Sequence, residues 1–116
     1  MMNDWNDYRA SLLARVADYA ELSPEVMKGL HMIESSPEKN GTLGPKIHEL
    51  ISLAVAVTTR CDGCISVHTK KAVELGATRE EIAEALSVAI AMNAGPALVY
   101  TAHVFEAHAQ LVNTNT

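Results

Sequence analysis

Aromatic side chains are scarce in this sequence, with one Trp, three Tyr and one Phe among 116 residues. An interior must therefore be filled by alanine, valine, leucine and isoleucine, which suits closely packed helices. With 48% of the chain apolar, there is enough material for one core in a single domain spanning residues 1–116. Positive charge is also in short supply: nine Lys and Arg face fourteen Asp and Glu, a formal net charge of −5. Phosphate binding needs a basic patch, so nucleic acid is excluded as an expected partner. The one local basic pair, Lys70 and Lys71, reads as a solvated helix face. Long apolar runs are missing too. The longest, residues 53–57, is too short to span a bilayer, and no membrane association is expected. The first residues are polar and acidic, unlike the basic and apolar regions of a secretory signal, so the expected location is the cytoplasm. Useful strand alternation, internal repeats and low-complexity tracts are absent.

What remains is helical punctuation. Residues 4–21 read as an amphipathic helix, with Trp5, Tyr8, Leu12, Val16 and Tyr19 at helical spacing. Ser23 and Pro24 open a second helix that should end before Pro37. Residues 35–44 form the expected long loop. Pro45 opens a third helix, reaching about Thr59, and two threonines with Arg60 mark a break. A fourth runs from about Cys61 to Leu75, stopped by Gly76. Thr78 and Glu81 have the spacing of a capping box at the start of a fifth. Gly95 and Pro96 should end it, with a sixth helix beyond and a frayed tail over residues 113–116. The expectation is an all-α bundle of about six helices. Residues 52–57 and 82–92 are apolar or small on almost every side. A helix that is apolar all round must be covered all round, so subunit contacts, and hence a homo-oligomer, are expected. Met27, Met32 and Met92 read as core filler. His31, His48, His103 and His108 read as surface or packing residues.

Cysteine is rare as well, and its placement is the most informative feature. The only two, Cys61 and Cys64, are three apart, with His68 four further on. On a helix, positions i, i+3 and i+7 share a face, so two thiols and an imidazole line one stripe. In the cytoplasm a close cysteine pair points to catalysis or metal binding rather than to a structural staple. Glu49 lies on the preceding helix, and the midpoint between Glu49 and His68 falls at the predicted turn. If the two helices fold back on each other, Glu49 comes level with His68. A carboxylate would then orient the imidazole, and the imidazole would accept a thiol proton. A free thiol is largely protonated at neutral pH, so such a base is needed. Gly63 beside Cys64 would leave room for a small substrate or water. Asp62 suits the first turn of a helix, although its charge opposes a thiolate. Zinc could instead take Cys61, Cys64, His68 and Glu49. A c-type haem site is excluded because Ile65, not histidine, follows the second cysteine.

With Glu49, eleven intervening residues, Cys61-x-x-Cys64, three residues and His68, the sequence resembles the alkylhydroperoxidase AhpD-like, or carboxymuconolactone decarboxylase, family. The likeness continues through residues 76–82 and 95–100 and covers roughly residues 40–110. The paired cysteines resemble the peroxidase-like branch, because the decarboxylase branch generally lacks them. The resemblance implies an all-α fold assembling into trimers or hexamers, and a peroxidase whose disulfide is reset by an external dithiol donor. It implies Cys64 as the peroxide-attacking thiol, Cys61 as the resolving one, and Glu49 with His68 as a proton relay. Where the best-studied branch has a histidine just before the second cysteine, this chain has Gly63, and it has only the minimal core of that longer branch. The expected function is thiol-dependent reduction of hydroperoxides, requiring no metal, haem or flavin. Two rivals stand beside it: a general thiol–disulfide oxidoreductase, and a non-enzymatic module that binds zinc or senses redox state.

Overall fold

The computed structural model describes residues 2–114 and is built from five helices, with no strand among the described residues. They are α1 (Trp5–Leu22), α2 (Pro24–Asn40), α3 (Pro45–Thr59), α4 (Asp62–Glu74) and α5 (Arg79–Thr114). The all-α expectation holds; the count of about six does not, because α5 is continuous through Pro96. Pro37 likewise sits inside α2, which shrinks the expected loop to residues 41–44. Proline removes one hydrogen bond to the carbonyl four residues earlier. Those carbonyls belong to Ile33 and Met92, both on exposed residues, where water can replace the lost donor. The tail is helical through Thr114, and residues 115 and 116 lie outside the described ones.

The expected stop at Gly76 and the capping box at Thr78 form, whereas Ser23 stands at the N-cap position of α2 without a side-chain capping hydrogen bond. Asp4 caps α1 by accepting the Asp7 N–H at 3.0 Å. Gly76, at φ 80°, closes α4 with a Schellman-type pair, Ala77 N–H to the Ala72 carbonyl and Gly76 N–H to the Val73 carbonyl. Thr78 and Glu81 exchange two 3.0 Å hydrogen bonds, the reciprocal capping box at the start of α5.

The core is thin and lies where α3, α4 and α5 meet: Leu53, Ala56, Ala72 and Ala89 are its buried apolar residues, with Ser66 buried beside them. Alanine at these crossings lets backbones approach closely. α3 and α4 form an antiparallel hairpin. α3 and α5 run parallel, because Lys46 pairs with Glu81 at 2.8 Å at one end and Asn93 donates to Thr58 at 2.9 Å at the other. α3 ends at Thr59, level with about Ala94, so the last twenty or so residues of α5 run past the end of α3. Met32 and Met92, expected in the core, are exposed in the single chain.

Candidate active site

The turn between α3 and α4 sets the site. Arg60 takes a left-handed conformation (φ 55°), and the Cys61 N–H bonds back to the Ala56 carbonyl. The chain reverses there and Cys61 becomes the N-cap of α4, its Sγ accepting the Cys64 N–H at 3.2 Å. Cys61 and Cys64 are joined as a disulfide with Cα atoms 5.2 Å apart, inside the window such a bond needs. Both are half-buried. In the reduced protein, the N-terminus of α4 would favour a thiolate on Cys61 over a neutral thiol.

Glu49 and His68 meet across the hairpin as their spacing predicts. His68 Nδ1 lies 2.7 Å from Glu49 Oε2, with the Glu49 side chain only 14% exposed. In the tautomer with its hydrogen on Nδ1, the ring donates to Glu49 and keeps its lone pair on Nε2. Cys64 precedes His68 by one helical turn on the same side of α4.

A cavity of about 900 Å³ opens at Glu49 and His68, between the end of α2 and the α3–α4 hairpin, and neither Cys61 nor Cys64 is among the residues that line it. Glu49, His68 and Val67 form one wall, and His48, Lys71 and Glu38 are among the polar groups around it. His48 was read as a surface or packing residue. Its position directly before Glu49 was the available signal, but i+1 neighbours on a helix point apart, and only the third dimension brings both to one cavity. Lys71, Glu34 and Glu38 had no sequence signal.

One expectation changes. Gly63 does not leave room for substrate: a Cβ there would come 2.7 Å from Leu12 Cδ2, so the space is taken by α1. Arg9, one turn earlier on α1, reaches the Ser66 carbonyl at 3.4 Å, so α1 braces the back of the redox turn. Among the described residues no group of three or more His, Cys, Asp and Glu is placed to hold a metal ion with the disulfide formed.

The profile of the Carboxymuconolactone decarboxylase family matches residues 24–107. The chain belongs to this family. A solved carboxymuconolactone decarboxylase family protein from Legionella pneumophila, in its apo form, superposes with a TM-score of 0.72 and 37% identity, covering 84% of this chain and 88% of that one. An uncharacterized protein of Haemophilus influenzae is 37% identical over 93% of this chain and 96% of its own. Another, from Cupriavidus necator, is 35% identical over 69% of this chain and 71% of its own. Membership covers both decarboxylase and AhpD-type peroxidase chemistry; the Cys-x-x-Cys pair at disulfide distance is compatible with the second.

Proposed function

We propose that this family member is a thiol-dependent peroxidase of the AhpD type, working in a reducing compartment such as the cytoplasm. The observation that carries the reading is the 2.7 Å Glu49–His68 pair one helical turn from Cys64. Plain thiol–disulfide exchange needs no such relay. A thiol that must be deprotonated to attack a peroxide, and a leaving oxygen that must be protonated, both do.

In the proposed cycle, His68 Nε2 takes the Cys64 proton and Glu49 stabilises the imidazolium. The Cys64 thiolate attacks the distal oxygen of a hydroperoxide. The O–O bond breaks, the leaving alkoxide takes the proton from His68, and an alcohol departs. Cys64 is then a sulfenic acid. Cys61 condenses with it, forming the disulfide and releasing water. An external dithiol donor attacks Cys64, and Cys61 leaves as a thiolate held at the α4 N-terminus. A low-pKa thiol is the better leaving group, which supports this division of roles. Resolution of the mixed disulfide by the donor's second thiol oxidises the donor and restores both cysteines.

The test is peroxide consumption by the purified chain with a small dithiol such as dihydrolipoamide, alongside thiol counts before and after one equivalent of an organic hydroperoxide. Loss of two thiols per chain and sustained turnover are expected. A disulfide that exchanges with dithiols but forms no faster with peroxide than free cysteine would replace this reading with general oxidoreductase activity.

A further inference from the structure

Opening the disulfide leaves two thiols on the first turn of α4, on residues whose Cα atoms are 5.2 Å apart. A tetrahedral zinc ion with Zn–S bonds of about 2.3 Å holds its two sulfurs ~3.8 Å apart. That separation is within reach of side chains that can also bond directly to each other. His68 follows Cys64 at i+4. Such neighbours have Cβ atoms about 5–6 Å apart, close enough for one ion to bridge a thiolate and an imidazole.

The Glu49–His68 pair supplies the second observation. His68 Nδ1 is taken by Glu49 Oε2 at 2.7 Å, so Nε2 is the nitrogen left for a metal. A carboxylate behind the ring is the common outer support of a zinc-bound histidine, fixing its tautomer and orientation. The Glu49 side chain is 14% exposed and committed to the ring, so it stays outside the ligand set. Charge agrees with this arrangement. Two thiolates and a divalent ion sum to zero, and the α4 N-terminus favours the deprotonated state that a sulfur ligand needs. Thiolate with imidazole is a donor set for zinc, whereas calcium and magnesium take oxygen. With the disulfide formed, both sulfurs are bonded to each other and the set does not exist.

We infer that the dithiol form of this chain binds one zinc ion through Cys61, Cys64 and His68, with Glu49 supporting His68 from behind, and that the disulfide form binds none. The fourth position of the ion is left to water. Binding sends the thiol protons to water and oxidises nothing. The thiols themselves arise when a dithiol donor reduces the disulfide and becomes a disulfide in turn. Zinc and peroxide then compete for the same sulfurs, and the ion holds the reduced site at rest. This goes beyond the peroxidase reading and does not depend on it.

The experiment is a metal titration of the full chain, reduced with a phosphine under argon. Co²⁺ is the spectroscopic probe, and competition with a chromophoric chelator gives the Zn²⁺ affinity. One ion per chain, a sulfur-to-cobalt charge-transfer band and the strong visible absorption of tetrahedral cobalt are expected, all absent from the chain kept as its disulfide. Glu49→Gln should weaken zinc by ~10–100-fold and leave both sulfur ligands in the cobalt spectrum. His68→Ala should weaken it further. In the unchanged chain, zinc should protect both thiols from iodoacetamide, which decides the matter if a variant fails to fold. No uptake by the reduced chain at micromolar metal, equal uptake by the disulfide form, or full affinity in His68→Ala would overturn the inference. None of these readouts involves peroxide, so a chain that binds zinc but reduces no hydroperoxide removes the peroxidase reading alone.

Discussion

α3 and the outer half of α5 are built from much the same residues, alanine, valine, isoleucine and leucine with few charges, yet one lines the core and the other is bare. In the hairpin, Leu53, Ala56 and Ala72 are buried where α3 meets α4 and the inner part of α5. In α5, the register with α3 runs out at Thr59, and the same apolar side chains continue into solvent. The difference teaches that composition states only that a surface must be covered; connectivity decides whether the chain can cover it itself. It also separates two kinds of change: in the hairpin they should act on chemistry, and around it on docking and stability.

The largest effect should come from inside the hairpin. His68→Ala is expected to slow the first oxidation of the thiol pair by ~10²-fold or more, as loss of a positioned base does. Glu49→Gln should cost less, because the imidazole remains. The double variant should lose little beyond His68→Ala, since the two act as one unit. The measurement is the second-order rate of thiol loss with peroxide across pH. Single variants that react like the parent would make Glu49 and His68 structural. The Cys61–Cys64 pair would then draw its activation from the α4 N-terminus.

Next in size is the brace behind the redox turn. Gly63→Ala gains up to ~1 kcal/mol in helix propensity, but its Cβ collides with Leu12, and overpacking of this kind costs ~1–3 kcal/mol. The balance in the parent should be a loss of about 1 kcal/mol in denaturant unfolding. In a Leu12→Ala background the same substitution should become neutral or stabilising. Equal effects in both backgrounds would show that α1 does not seat on Gly63.

These sites differ in how visible they are from sequence. Glu49, Cys61, Cys64 and His68 could be brought together on paper because one short turn relates them, and the helical period does the rest. The caps at Asp4, Gly76 and Thr78 are local chemistry and equally visible. The contact of Leu12 with Gly63 joins residues in different helices far apart in the chain, and no spacing rule connects them. Proline does not break α2 or α5 for a physical reason: at Pro37 and Pro96 the carbonyl that loses its donor sits on an exposed residue, so the helix survives. His48 and Lys71 reach the cavity only through the way α2 closes over the hairpin.

A smaller effect is expected at the turn itself. Three helices here end on a left-handed residue, Gly41 after α2, Arg60 after α3 and Gly76 after α4. The conformation costs a non-glycine residue ~1 kcal/mol, and Arg60 is exposed with no side-chain partner shown. Arg60→Gly should therefore stabilise the chain by up to ~1 kcal/mol, the gain being trimmed by the freer unfolded chain. The same substitution should leave the peroxide rate within about twofold if the turn's shape, and not the arginine charge, serves the thiols. A rate drop well beyond that would assign the Arg60 guanidinium to the chemistry.

The smallest effect belongs to the clasp between α3 and the paired half of α5. The Lys46 ammonium beside Glu81, helped by the Thr78 N–H, holds the Glu81 carboxyl below its ordinary value of 4.5. A carboxyl lowered in the folded state adds stability that is fully present above its unfolded value. That stability is lost as pH falls through the folded one. Thermal unfolding of wild type and Lys46→Met should therefore differ by a small, constant amount from pH 6 to 8, and the gap should close as pH drops below about 4.5. The pair is solvent-accessible, so added salt should shrink the gap as well. If the gap instead persists at low pH, Lys46 supports the α3–α5 contact through its aliphatic stem packing rather than its charge, and the parallel register rests on Asn93, Thr58 and the alanine core alone.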